Sequence, residues 1–243
     1  MSRSISAQDR SSLIKLASEL PAGSVERRAI LAGLVRIKKA SGEYNIPGKH
    51  ITDDAFVSGA AKVSGNAKVY GNAAIRDSAK VSGNAKVYGN AEVLGKAKVF
   101  GNARVSGDAK VYDNAEISGK AMVYDNTMVY GNVQVYGNAM VYEKSVVHDY
   151  AYVYDNAKVY GVAKVFGNAQ VYGKAKVYGN AVVTSRALVS GKAEVYGDAL
   201  VYGYSVVTGN ARIGGTAIIL GGEWDGSEGE ITSGKWNAPG VPA

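Results

Sequence analysis

Val or Ile recurs at every sixth residue from Ile51 through Val57, Val63 and Val69 to Val207 and Ile213, 28 times without an insertion or deletion. A small residue sits two places before each following Val or Ile: Ala in 24 of the 28 words, with Thr127, Val133, Ser145 and Ser205 as the exceptions. Side chains two apart in an extended chain share one face, so the small and the β-branched positions point inward together. The residues flanking each Val vary from word to word and point outward. Between these short strands stands Gly in 20 words and Asp in six (Asp53, Asp77, Asp113, Asp125, Asp149 and Asp155), followed most often by Asn, as at Asn66, Asn102 and Asn180. Gly, Asn and Asp accept positive φ and make tight corners. The pattern predicts a strand of the form Ala-x-Val-x closed by a Gly-Asn corner. A strand this short buries its apolar face only by stacking on copies of itself, which makes the chain a coil.

The period alone leaves open a two-cornered coil of twelve residues or a three-cornered coil of eighteen. The word Val-x-Gly-Asn-Ala-x resembles the hexapeptide repeat of left-handed β-helix proteins, and more closely the YdcK-type β-solenoid repeat. The resemblance covers residues 51–218. It implies an all-β fold: a single-stranded, left-handed parallel β-helix with three hexapeptides per coil and about nine coils. The winding hand rests on the resemblance, since crossovers between parallel strands are ordinarily right-handed.

The ends do not follow the word. Ser6 and Asp9 read as a capping box opening a helix whose Leu13, Leu16, Ala17 and Leu20 share a face and which stops at Pro21; Ser24 caps a second helix bearing Ile30, Leu31, Leu34 and Val35. Residues 1–40 are therefore expected to be a short α-helical hairpin, 41–50 a linker, 51–218 the solenoid, and 219–243 a C-terminal cap or tail in which Trp224 and Trp236 fold over the last coil. Solenoid ends expose strand edges and core, so the hairpin reads either as a cap or as a docking tag for a larger protein assembly.

Stepping eighteen places along the chain separates three outer faces. One carries Lys68, Lys86, Arg104, Met122 and Met140 beside a run of Tyr from Tyr70 to Tyr196. Another turns from Lys62, Lys80 and Lys98 to Leu188 and Val206. The remaining face is the most apolar, with Met128, Tyr130, Val146, His148, Phe166, Val182, Leu200, Tyr202 and Ile218. An apolar strip of this length is larger than a monomer ordinarily leaves in water, so these nine residues are the expected interface for self-association. The resemblance implies a trimer about parallel axes. The same ladders also read as cross-strand pairs that stabilise exposed strands.

Composition narrows the chemistry. The 243 residues include 28 Lys and Arg against 21 Asp and Glu, a net charge of +7 spread across the chain, with the first forty residues its most basic part. Basic ladders suit a solvated face, and no nucleic-acid motif accompanies them, so neither nucleic acid nor another polyanion is the expected partner. The polar first ten residues and the lack of a long apolar run predict neither signal peptide nor membrane span, and the absence of Cys suits a reducing compartment; the expected location is the cytoplasm or a virion assembled there. No cofactor is expected.

Relatives with this repeat include acyltransferases, which the resemblance implies would use a His as general base in a cleft between subunits. His148, with Asp149 beside it, is the candidate, although the uninterrupted repeat leaves no protruding substrate loop. Zinc chemistry needs several converging His, and the chain has only His50 and His148, some five coils apart, roughly 25 Å at the strand spacing. Ice binding would call for regular Thr arrays, whereas outward Thr52, Thr184 and Thr208 are isolated. A non-enzymatic structural rod is the expected function, with an acyltransferase-like enzyme as the alternative.

Overall fold

A computed structural model describes residue 51 and residues 54–237. The expected helical hairpin, the linker with His50, and residues 238–243 lie outside the described residues.

Each word forms a two-residue strand whose first residue faces out and whose second faces in, as in Lys86–Val87 and Glu116–Ile117. Successive strands do not pair with one another. Each pairs in parallel with the strand three words on, in the register Phe56↔Ala74, Lys62↔Lys80 and Lys68↔Lys86. Three corners per coil thus replace the two that the period also allowed. The described strands form sheet I of eleven strands, beginning at Phe56–Val57, sheet II of ten, beginning at Lys62–Val63, and sheet III of ten, beginning at Lys68–Val69. The fold is an all-β parallel solenoid of about ten turns.

Coils are joined by a ladder of parallel-strand backbone hydrogen bonds, in which the Phe56 N–H donates to the Ala73 carbonyl at 2.8 Å and the Ser58 N–H to the Ile75 carbonyl at 2.9 Å. The corners join this ladder, the Asn66 N–H donating to the Gly83 carbonyl at 2.7 Å. Inside, Val, Ile and Ala fill the coil, and from Ile75 to Val207 the inward Val and Ile are wholly excluded from solvent. Burying each Val is worth about 1.5–3 kcal/mol, repeated three times per coil. Where a hydroxyl replaces the inward Ala it is satisfied locally: Thr127 Oγ1 donates to the Tyr124 carbonyl at 2.6 Å and Ser145 Oγ to the Tyr142 carbonyl at 2.8 Å.

The corner residue adopts positive φ in every described word, including seven that are not Gly: Asp77, Asp113, Asp125, Glu143, Asp149, Asp155 and Ser185, with φ between 59° and 63°. The acidic ones reach to the next coil. Asp77 accepts from the Gly95 N–H at 2.9 Å, Glu143 from the Gly161 N–H at 2.8 Å, and Asp155 from the Gly173 N–H at 3.2 Å. Asn residues at the neighbouring position form amide ladders, with Asn66, Asn84 and Asn102 linked at 3.2 Å per step.

The coil does not stop where the repeat does. Glu223–Trp224, Glu230–Ile231 and Lys235–Trp236 add one more strand to each sheet, pairing with Val206, Arg212 and Ile218. This is why about ten turns are seen where about nine were expected. The two Trp belong to this added coil. They take the inward strand positions, in register with Val207 and Ile219, and meet edge to face with ring centroids 5.8 Å apart. The final coil steps 17, 18 and 17 residues in place of 18 throughout, because its corners no longer carry the Gly-Asn word.

Candidate interaction surface

Pairing at eighteen-residue steps places the nine interface candidates on the outer side of sheet I, as the repeat requires. Met128, Val146, Val182, Leu200 and Ile218 occupy the outward strand position. Tyr130, His148, Phe166 and Tyr202 occupy the outward position beyond it. Met128 is exposed, while the other eight are half-buried within the single chain. Ladder packing covers much of each side chain with its neighbours in the coils above and below, an effect invisible without the coil spacing.

Tyr112, Tyr130, His148 and Phe166 form one continuous stack, with centroids 4.8, 5.0 and 4.7 Å apart and planes within 6°. His148 Nδ1 lies 2.9 Å from Asp149 Oδ1, and Asp149 Oδ2 accepts from the Gly167 N–H at 3.1 Å. The hydrogen bond from His148 chiefly holds the Asp149 carboxyl below its ordinary value. His50 lies outside the described residues. Among the described residues no three of His, Cys, Asp and Glu group as a metal site, and no helix is long and apolar enough to cross a membrane. Shallow depressions of about 430 and 330 Å³ lie at corners around Asp125 and Glu143 and around Lys80 and Lys98, and His148 lines neither.

Sheet III carries a longer stack. Tyr124, Tyr142, Tyr160, Tyr178 and Tyr196 follow one another at 4.9 to 5.3 Å. In all these stacks the ring faces cover each other, so the rod turns ring edges and hydroxyls outward. A planar ligand that needs an open ring face finds none inside a stack. Burial is the main cause that pushes Tyr142 and Tyr178 up to about 12, with Tyr160 next at Tyr142 and the Glu194 carboxylate next at Tyr178. A phenol with a raised folded value holds its proton more tightly when folded. Its contribution is therefore complete below its ordinary value of 10.0 and is lost as the pH rises toward 12. Thermal unfolding followed from neutral pH to pH 12 should show stability falling in that window, and Tyr142→Phe, which keeps the ring, should make the fall smaller.

Beside the Tyr stack, the C-terminal part of sheet III alternates charge. Lys176 Nζ donates to Glu194 at 2.8 Å, Arg212 to Glu194 at 2.6 Å and to Glu230 at 3.1 Å, while Tyr178 donates to Glu194 at 3.1 Å and Tyr196 to Glu230. Arg212 also lies 5.2 Å from the Tyr196 ring centroid. Sequence reasoning passed over Glu194, Arg212 and Glu230; stepping eighteen places from Lys176 reaches all three.

The YdcK beta solenoid repeat family matches residues 133–149, a stretch that includes Val146, His148 and Asp149. No curated protein matches the chain. The chain carries the YdcK-type repeat in a three-sheet parallel solenoid of the hexapeptide-repeat kind.

Proposed function

We propose that the chain is a non-enzymatic structural protein, a stiff rod that self-associates through the outer side of sheet I. The observation that carries this reading is the strip from Met128 to Ile218, in which aliphatic and aromatic side chains stand in register along one sheet, interrupted by Lys164 and Thr184. A trimer about parallel axes is the proposed assembly, and residues 1–40 are the proposed attachment to a larger protein structure in the cytoplasm or in a virion. Stacked rings that hide their faces favour packing against another flat surface over capture of a small ligand.

Light scattering over a wide concentration range tests the reading. The wild-type chain should have a defined mass above that of one copy, and Leu200→Asp, which puts a carboxylate in the aliphatic run Val182, Leu200 and Ile218, should lower it by at least half. An unchanged mass would remove sheet I as the working surface.

The 2.9 Å contact between His148 and Asp149 favours a second reading, an acyltransferase-like enzyme with His148 as general base in a cleft between copies. That reading requires acyl transfer by the wild-type oligomer and its loss in His148→Ala.

A further inference from the structure

The edge of the coil where sheets II and III meet lies opposite sheet I, and its two ends differ in charge. At the N-terminal end Lys62 pairs with Lys80 and Lys80 with Lys98 on one flank, and Lys68 with Lys86 and Lys86 with Arg104 on the other. Like charges in direct register repel. Lys98 is relieved by Glu116 at 2.5 Å, but Lys62, Lys68, Lys80, Lys86 and Arg104 have no ion-pair partner among the described residues. Farther along sheet III the same ladder is neutralised by alternation through Lys176, Glu194, Arg212 and Glu230. The basic end therefore lacks a compensation that the fold supplies elsewhere.

The last coil of this same edge is acidic, beyond the exposed Lys174 and Lys192 of the coils before it. Glu223 extends the sheet II column of Lys62, Glu230 extends the sheet III column of Lys68, and Asp225 takes the corner between them, its carbonyl accepting from the Asn210 N–H at 3.0 Å. Glu230 is occupied by Arg212, whereas Glu223 and Glu228 are exposed and have no ion-pair partner among the described residues.

The corners themselves take carboxylates. At six corners of the rod the corner amide donates to an acidic side chain of the preceding coil, as Gly95 does to Asp77 at 2.9 Å and Gly131 to Asp113 at 3.2 Å. At the basic end the corner residues are Gly65, Gly83 and Gly101, with no side chain to fill this role, so the amides of Gly83 and Gly101 stand open between the two Lys ladders.

We propose that two copies pair antiparallel along this edge, the Lys62, Lys68, Lys80 and Lys86 end of each receiving the Glu223, Asp225 and Glu228 end of the other. The basic and acidic patches lie nine coils apart on one line, roughly 43 Å at the strand spacing. A two-fold axis across the middle of the rod brings them together twice, giving a closed contact with the same residues on both sides. Single exposed pairs contribute little, but two matched clusters fix partner, direction and register. The contact is independent of sheet I, on the far side of the coil, and both surfaces are free to act in one assembly.

The test uses full-length Leu200→Asp, in which sheet I association is disabled, with mass read by light scattering and the fold checked by circular dichroism. This chain should be a dimer at low salt and a monomer at about 1 M salt, where the screening length falls to about 3 Å. Adding Lys62→Glu with Lys80→Glu should halve the mass, as should adding Glu223→Lys with Glu228→Lys. The chain bearing all four swaps should be a dimer again. A monomer at low salt, a mass insensitive to either pair of swaps, or a folded four-swap chain that stays monomeric would overturn the pairing. A wild-type mass equal to that of Leu200→Asp would instead overturn the sheet I reading and leave the edge contact standing.

Discussion

Val141→Asp is expected to abolish cooperative folding of the rod at its midpoint. Val141 is wholly buried on sheet III, paired with Val123 on one side and Val159 on the other. The substitution removes the burial of one Val and places a carboxyl among Val and Ala with no charged partner inside the coil. The combined loss should exceed about 4 kcal/mol, a large fraction of the roughly 5–15 kcal/mol that holds a typical domain. Because each coil touches only its neighbours, the damage should appear as a divided transition, with coils before and after the site melting separately. Denaturant unfolding followed by circular dichroism reads this directly. A single transition at unchanged midpoint would mean that the interior is not the dry column described above.

Gly161 is the second position at which a small change should have a large effect. Its φ is +74°, and a Cβ there would stand 2.7 Å from the Gly179 nitrogen and 2.8 Å from the Gly179 oxygen. Gly161→Ala should cost about 1–3 kcal/mol through backbone strain and crowding. Gly161→Asp should cost less, although Asp is larger, because its carboxylate would accept from the Gly179 N–H as Asp77 does from Gly95. The expected order of melting temperatures is Gly, then Asp, then Ala. If Ala proved milder than Asp, the carboxylate bridges would contribute nothing to the corners, and the six acidic corner residues would owe their place to solubility alone.

Much of this architecture is legible in the residues. Inward Val and Ala, outward ladders and Gly-Asn corners follow from side-chain alternation and the period, and His148 between Tyr130 and Phe166 follows from counting eighteen. Less accessible was the last coil. Glu223–Trp224, Glu230–Ile231 and Lys235–Trp236 keep only the strand core of the word, a charged outward residue before a large inward one, and abandon its corners. The bridge from Asp77 to Gly95 was equally hidden, because Asp at a turn is sufficiently explained by its own φ until the next coil is placed above it. The half-burial of Leu200 and its neighbours likewise depends on contact between coils. The apolar character of sheet I was readable, whereas the share of it left to solvent was not.

The unbroken register has a consequence for how such a chain changes length. From Phe56↔Ala74 to Leu200↔Ile218 every paired residue is eighteen positions from its partner. Duplicating or losing a full coil in the gene would lengthen or shorten the rod and leave each surface on its own side. Losing a single word would preserve the interior almost as well, since nearly every word offers the same Val or Ile and Ala. Every residue downstream of the deletion, however, would move round to the neighbouring face, dividing the apolar strip between two sides. Folding tolerates steps of six, while a continuous surface tolerates only steps of eighteen, so it is the surface and not the core that sets the allowed increments of this gene.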